Sequence, residues 1–163
     1  MLHVAALAAA LMAFPPTASI CDLPHVRTSS AFLSSLISDA REHSPTFLRL
    51  ADSLESSDLI VYLEAAPHME ARFRGRMHFM GASSGYRYFR IQIRIAMSRY
   101  DVVASIAHEM QHANEIASHP EVVSEDGLAA LYRQIGDEHD WCMFETNAAQ
   151  QAGRAVRAEI LAP

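Results

Sequence analysis

The chain has 163 residues, of which 50% are hydrophobic and 20% are charged, and its formal net charge is −6. This length is sufficient for one domain with a hydrophobic core and hardly for two. The composition is that of an ordinary globular protein, and the net negative charge argues against nucleic acid as the main partner.

The first twenty residues differ from the rest of the chain. Leu2 to Phe14 is a short, Ala-rich apolar run that ends at Pro15-Pro16 and is followed by small residues. A membrane-spanning helix needs about 20 apolar residues, so we expect no stable membrane span here. The pattern is typical of a secretory signal peptide, with a buried N-terminal helix as the alternative. We therefore predict a signal peptide at 1–20, a single domain at 21–163, and a secreted or periplasmic protein.

The sequence contains two cysteines, Cys21 and Cys142. In an exported chain they could form a disulfide. Cys21 could instead be a lipidated N-terminus, although Ile20 stands where a small residue is usual, and both thiols could also be unpaired. The sequence leaves these alternatives open, and it leaves the oligomeric state open too.

Two helices and three strands are predicted before the central motif. After a tether at Asp22 to Thr28, Ser29 or Ser30 can cap one helix, and Ser44-Pro45 can begin a second that stops at 56–58. Leu59–Leu63 is predicted to be a central strand. From Ala71, apolar and polar residues alternate on both sides of a turn at 81–85, which predicts a hairpin with one solvent-exposed face and one buried face. Its arginine stripe is interpreted as a solvated face rather than a binding patch.

The motif His108-Glu109-Met110-Gln111-His112 lies in a segment predicted to be helical from about 98–101 to Ser118. Residues four apart lie on one face of a helix, so the two imidazoles can bind one metal ion. Glu109 is the candidate general base in such H-E-x-x-H motifs. Apolar residues at helical spacing predict that this helix is buried, and a metal would satisfy its buried histidines.

Two further helices are predicted after the motif. The first runs from Ser124 to Gly136, and the second runs from about Phe144 to Leu161, with a loop at 137–141 between them. The second helix has a face of small residues that could pack closely against the motif helix, consisting of Ala148, Ala149, Ala152, Ala155 and Val156.

A catalytic zinc site needs three protein ligands, so one ligand is still to be found. The candidates are Glu115, His119, His139, Asp140 and Glu145, with a smaller case for Cys142. Glu115 follows His112 on the same helix and cannot easily reach a site that faces both imidazoles. His119 is one residue away from the third-histidine position of metzincins. Glu145 is preferred because it lies near the start of the predicted small-residue helix, which could pack closely against the motif helix.

With His108, His112 and Glu145 in place, the chain resembles the gluzincins, the thermolysin-like zinc metallopeptidases with an H-E-x-x-H motif and a downstream helical Glu. It is also similar to small uncharacterised bacterial exported proteins with H-E-x-Q-H and a terminal F-E-T-x-A-A helix. The resemblance implies zinc bound by His108, His112 and Glu145, with Glu109 activating a zinc-bound water. It also implies an α+β, zincin-like fold, in which a small, mostly antiparallel sheet packs on the central motif helix.

Two functions are compatible with this pattern. The first is zinc-dependent hydrolysis of a peptide or protein substrate by a minimal secreted metallopeptidase. The alternative is a non-catalytic module that binds a metal or another protein on a zincin-like fold. Gluzincins supply a Tyr or His that stabilises the oxyanion, and Tyr132 and His139 are the candidates here. The substrate cannot be named from the sequence.

Overall fold

The structure is a computed structural model that describes residues 24–139 and 143–162. The predicted signal peptide, Cys21, Asp140 and Cys142 lie outside these residues. The described chain is α+β, with five helices, a four-stranded mixed sheet and a separate two-stranded sheet. No helix among the described residues is long and apolar enough to cross a membrane. The elements are β1 Val26–Arg27, α1 Ala31–His43, α2 Pro45–Glu55, β2 Leu59–Ala66, β3 Gly75–Ser83, β4 Tyr86–Arg94, α3 Arg99–Ala117, α4 Glu125–Ile135, β5 Asp137–His139, β6 Met143–Glu145 and α5 Asn147–Leu161.

Side-chain caps begin the first two helices where the sequence predicts them. Ser30 Oγ accepts a hydrogen bond from Leu33 N, and Ser44 Oγ accepts one from Phe47 N, with Pro45 as the first residue of α2. The predicted tether is partly wrong, because Val26–Arg27 forms β1 and pairs in parallel with β2. A two-residue strand is too short to show an alternating pattern.

The strand order of the larger sheet is β1-β2-β4-β3, so β2 is central as predicted. The prediction of a mostly antiparallel sheet is wrong, because β4 pairs with β2 in parallel and only the β3–β4 pairing is antiparallel. The hairpin inserts β4 into the sheet interior and leaves β3 at the edge. Burial explains this order, since Phe89, Ile91 and Ile93 of β4 are fully buried while β3 is only partly buried.

The predicted buried face of β4 is confirmed, but it contains a charged residue. Along β4, buried residues of this face alternate strictly with half-buried residues of the other face, and the first buried residue is Arg87. Arg87 donates two hydrogen bonds to Asp58, at 2.7 and 2.8 Å, and further ones to the carbonyls of Ile116, His119 and Val122. The guanidinium therefore ties the start of β4 to the C-terminal end of α3.

Helix α3 lies at the centre of the molecule, as predicted for the motif helix. Ser98 caps it, and it packs against the sheet on one side and against α1, α2 and α5 elsewhere. Ile106, Met110 and Ala113 are fully buried in the hydrophobic core. The other fully buried large side chains of this core include Phe47, Phe89, Leu33, Leu54, Leu59, Leu63, Ile91 and Ile93.

The C-terminal part differs from the prediction between α4 and α5. Helix α4 is confirmed, with Ser124 as its N-cap and Gly136 after its last residue. The loop predicted at 137–141 is wrong at Asp137–His139, which forms β5 and pairs with β6 as an antiparallel two-stranded sheet, and 140–141 lies outside the described residues. Helix α5 begins at Asn147 rather than Phe144, since Thr146 is its N-cap. Glu145 is consequently the last residue of β6 and does not lie on a helix.

Removing the Asp58 carboxylate should lower the free energy of unfolding near neutral pH. The hydrogen bond from Arg87 holds the pKa of Asp58 below its usual value, although partial burial opposes this. Because the folded-state pKa lies below the unfolded value of about 3.9, the stabilisation is present above that value and is lost as the pH falls through the folded-state pKa. Urea unfolding of wild type and Asp58→Asn, measured from about pH 2 to 7, should therefore converge in acid.

Asp52→Asn is the control for this measurement. Asp52 is 61% exposed and pairs with Arg41 at the surface, so its loss should change stability little at any pH. A gap between wild type and Asp58→Asn that is equally large at about pH 2 and pH 7 would contradict the role of this ion pair.

Candidate metal centre

Three side chains from two separate elements converge beside the middle of α3. His108 and His112 come from α3 and Glu145 comes from β6, and their ligand atoms all lie within 4.8 Å of one another. His112 is buried, whereas His108 and Glu145 are partly exposed. This group can hold a metal ion, and its members are the three residues that the sequence analysis selected.

The spacing of the ligand atoms suits a small tetrahedral ion. The Nε2 atoms of His108 and His112 are 3.1 Å apart, and His108 Nε2 is 3.3 Å from Glu145 Oε2. Ligands about 2.0–2.1 Å from a tetrahedral ion lie about 3.3 Å from one another. These two distances therefore match edges of such a tetrahedron, and the remaining pair of ligand atoms lies within 4.8 Å. The two nitrogens and one oxygen are donor atoms that zinc commonly takes.

The electrostatics of the two histidines differ. Burial, together with the charge of His112, lowers the pKa of His108 to about 4, so this ring is neutral near pH 7 and can offer a lone pair. Burial also acts to lower the pKa of His112, but the hydrogen bond from its ring to Glu115 and the nearby carboxylates outweigh it and raise that pKa. A metal ion at His112 would take the place of the proton that these carboxylates attract.

Glu115 orients one of the ligands, a role that the sequence analysis missed. It does not join the three-residue group, but its Oε2 atom accepts from His112 Nδ1 at 2.9 Å. Its Oε1 atom accepts from Thr146 Oγ1 at 2.7 Å. Metal-binding histidines commonly donate their second ring nitrogen to a carboxylate in this way. Because Thr146 follows Glu145, one carboxylate holds both sides of the centre together.

Glu109 is buried beside the metal group and packs against the edge strand β3. Burial is the main cause that raises its pKa to about 7; the charge of His112 opposes the shift and the charge of Glu145 adds to it. A Cβ atom placed on Gly75 would lie 2.6 Å from Glu109 Cδ and 2.7 Å from its Cγ. Glu109 occupies the space that a side chain at position 75 would fill, so a glycine is required there. The alternation pattern of β3 did not indicate this requirement.

The approach of α5 to α3 depends on a second glycine. A Cβ atom on Gly153 would lie 3.0 Å from the carbonyl oxygen of Ala104 and 3.5 Å from His108 Cβ. Ala149, Ala152 and Val156 of the predicted small-residue face are buried with it, whereas Ala148 is exposed. This close packing brings the segment before α5, including Glu145 and Thr146, up to the motif.

The remaining candidates occupy different positions. Tyr132 is buried, its ring stands edge-on to His112, and its hydroxyl donates to the His112 carbonyl at 3.2 Å. Tyr132 therefore packs against His112, one of the candidate ligands, and its predicted role in oxyanion stabilisation stays a prediction. His119 pairs with Glu121 beyond the end of α3 and does not belong to the group. The backbone of His139 lies in β5, opposite Met143, and its side chain is outside the described atoms.

Gly75→Ala should destabilise the protein through overlap with Glu109. Overpacking of this kind typically costs about 1–3 kcal/mol. The double variant Gly75→Ala/Glu109→Ala removes the overlapping carboxylate, so the added methyl should cost much less in that background. Urea unfolding of wild type, both single variants and the double variant measures the coupling. Equal costs of Gly75→Ala in the two backgrounds would show that Glu109 does not occupy this space.

Glu115→Gln should weaken metal binding about 10- to 100-fold, because an amide orients and polarises the His112 ring less well than a carboxylate. Competition with a chelator of known affinity measures the change. Glu121→Gln is the matched control, since Glu121 pairs with His119 away from the centre. Equal affinities for Glu115→Gln and Glu121→Gln would remove Glu115 from the metal centre.

Known proteins provide no family assignment for this chain. No protein-family model, curated protein or solved structure matches it. Its chemistry is therefore inferred from the convergence of His108, His112 and Glu145, and from the buried Glu109 beside them.

Proposed function

We propose that this chain is a zinc-dependent peptidase of the gluzincin type, with His108, His112 and Glu145 as the metal ligands. The observation that carries the proposal is the convergence of these three side chains beside the buried carboxylate of Glu109. Catalytic zinc sites commonly have three protein ligands of this kind and keep one position open. Export through the apolar segment at 2–14 is part of the proposal.

The chain departs from the gluzincin pattern at its third ligand. Gluzincins take this Glu from a helix, whereas Glu145 ends β6, two residues before α5 begins. In place of a helix, the next residue supports Glu145: Thr146 caps α5, and its hydroxyl donates a hydrogen bond to Glu115. A strand end fixed in this way can hold a ligand as well as a helix does, because both restrict its backbone.

The proposed chemistry assigns separate tasks to the neighbouring carboxylates. When bound, zinc polarises the scissile carbonyl and acidifies a water molecule. Glu109 accepts a proton from the attacking water and donates it to the leaving nitrogen. Its pKa of about 7 lets it do both near neutral pH. Glu115 keeps the Nε2 atom of His112 aimed at the ion through the hydrogen bond to Nδ1.

The peptide is proposed to bind along the open edge of β3. Strand β3 is the member of the hairpin that lies at the edge of the larger sheet. Gly75 of this strand contacts Glu109, so a peptide added to the strand would pass next to the proposed base. Extended peptides commonly bind proteins by adding a strand to an exposed sheet edge.

Metal analysis with a broad peptide-cleavage screen tests the proposal. Purified wild type should contain about one zinc per chain and hydrolyse peptides. Glu109→Gln should retain the metal and lose hydrolysis, because Glu109 is the base and not a ligand. His108→Ala and His112→Ala should lose the metal, and Glu145→Ala should bind zinc about 10- to 1000-fold more weakly, an extrapolation from the losses typical of supporting residues.

Control variants keep the interpretation specific. His119→Ala, His139→Ala and Cys142→Ser should leave zinc affinity nearly unchanged. If Glu145→Ala binds zinc normally while His139→Ala or Cys142→Ser does not, the ligand set is wrong. If wild type carries zinc but cleaves no peptide faster than Glu109→Gln does, the chain is the non-catalytic metal-binding module instead.

A further inference from the structure

Positive charge is concentrated beside the edge strand of an acidic protein. Residues 71–95 contain six arginines and no Asp or Glu, whereas the chain as a whole has 13 Lys and Arg against 19 Asp and Glu. Of these six, only Arg87 is fully buried. The five that remain lie on or beside the β3–β4 hairpin, and they are Arg72, Arg74, Arg76, Arg90 and Arg94.

Two of these arginines flank the contact between β3 and the metal centre. Arg74 and Arg76 stand on either side of Gly75, the residue against which Glu109 packs. Both side chains are exposed, and neither forms an ion pair with a carboxylate among the described residues.

The backbone of β3 offers hydrogen bonds to a second strand. Arg94 N donates to Arg74 O, so the backbone of Arg74 faces β4. Peptide groups alternate in direction along a strand, so those of Gly75 and Met77 face the open edge. Phe79 N, which has the same orientation, donates to the carboxylate of Glu125 on α4. Glu125 therefore covers one end of the edge, and the end beside Arg74 and Arg76 stays accessible.

Two guanidinium groups at the accessible end stack on the same aromatic ring. Arg72 and Arg76 stack on Phe73, with their Cζ atoms 4.6 and 4.5 Å from its ring centroid. Only Arg72 is neutralised, through an ion pair with Glu70. The stacking limits the motion of Arg76 and leaves the N–H groups of its guanidinium free to bind a carboxylate.

We propose that the edge of β3 binds an extended polypeptide segment with acidic side chains, which Arg74 and Arg76 recognise next to the metal centre. The segment adds a strand at Gly75 and Met77, and its carboxylates pair with the two guanidinium groups. As a substrate preference, this inference rests on the proposed peptidase function. The unpaired backbone groups favour a polypeptide over an acidic polysaccharide, which has no peptide bonds to complete the edge.

Binding of two matched peptides tests this proposal. One is a labelled peptide of about ten residues in which Glu alternates with Thr, and the other has Gln in place of each Glu. Their binding to Glu109→Gln is measured by fluorescence anisotropy, with and without added zinc, so that no cleavage occurs. The Glu peptide should bind about 10-fold more tightly, because it adds two exposed ion pairs that each strengthen binding about 3-fold. The preference should decrease with salt.

Charge reversal identifies the arginines that are responsible. Arg74→Glu/Arg76→Glu, added to the same background, should abolish or reverse the preference. Arg49→Glu is the matched control, because Arg49 is equally exposed and lies on α2. Thermal unfolding verifies that the variants remain folded. The proposal is overturned by equal binding of the two peptides, by a preference that survives the double reversal, or by a sulfated polysaccharide binding in place of the peptide.

Cleavage by wild type separates this inference from the proposed function. If wild type cleaves peptides but no charge preference is found, the peptidase proposal stands and the acidic preference is wrong. If the charge preference is found but no peptide is cleaved, the binding edge stands and the proposed hydrolysis is wrong.

Discussion

The metal centre depends on how closely α5 can approach α3. At Gly153 the two helices are so near that an added Cβ would lie 3.0 Å from the carbonyl oxygen of Ala104. Without this contact, the short strand before α5 would lie farther from the motif, and Glu145 would not come within 3.3 Å of His108. Small side chains at a helix interface thus determine whether two stacked histidines become a three-ligand site.

Burial of α3 places a strict requirement on its polar residues. The helix carries His112 and Glu109 into the interior, where an unsatisfied polar group is costly. Glu115, which is held by Thr146, accepts from the Nδ1 atom of His112, and Tyr132 donates to the His112 carbonyl. The bond to Glu115 also restricts the orientation of the imidazole. The interactions that make burial of His112 tolerable are therefore the same ones that direct its Nε2 atom toward a metal.

The inserted hairpin places a sheet edge and a group of arginines beside this centre. Strand β4 has the apolar residues needed for the sheet interior, so β3, with its glycines and charged residues, is left at the edge. Arg87 stabilises that arrangement from within by bonding Asp58 and the end of α3. The same hairpin thus contributes a buried arginine to the core and exposed arginines to the surface next to Glu109.

Local features of the structure were predictable from the sequence, because they depend on neighbours within a few residues. Serine caps fixed the starts of α1, α2 and α4, alternation identified the buried face of β4, and i, i+4 spacing stacked His108 over His112. Only the tertiary structure could decide that β4 pairs with β2, that Glu145 ends a strand, and that Glu115 orients a ligand. The space that Gly75 leaves for Glu109 was also invisible in the pattern. The β2–β4 pairing, the Gly75–Glu109 contact and the Thr146 bond that holds Glu115 each join residues about thirty positions apart, and they depend on packing that no local pattern records.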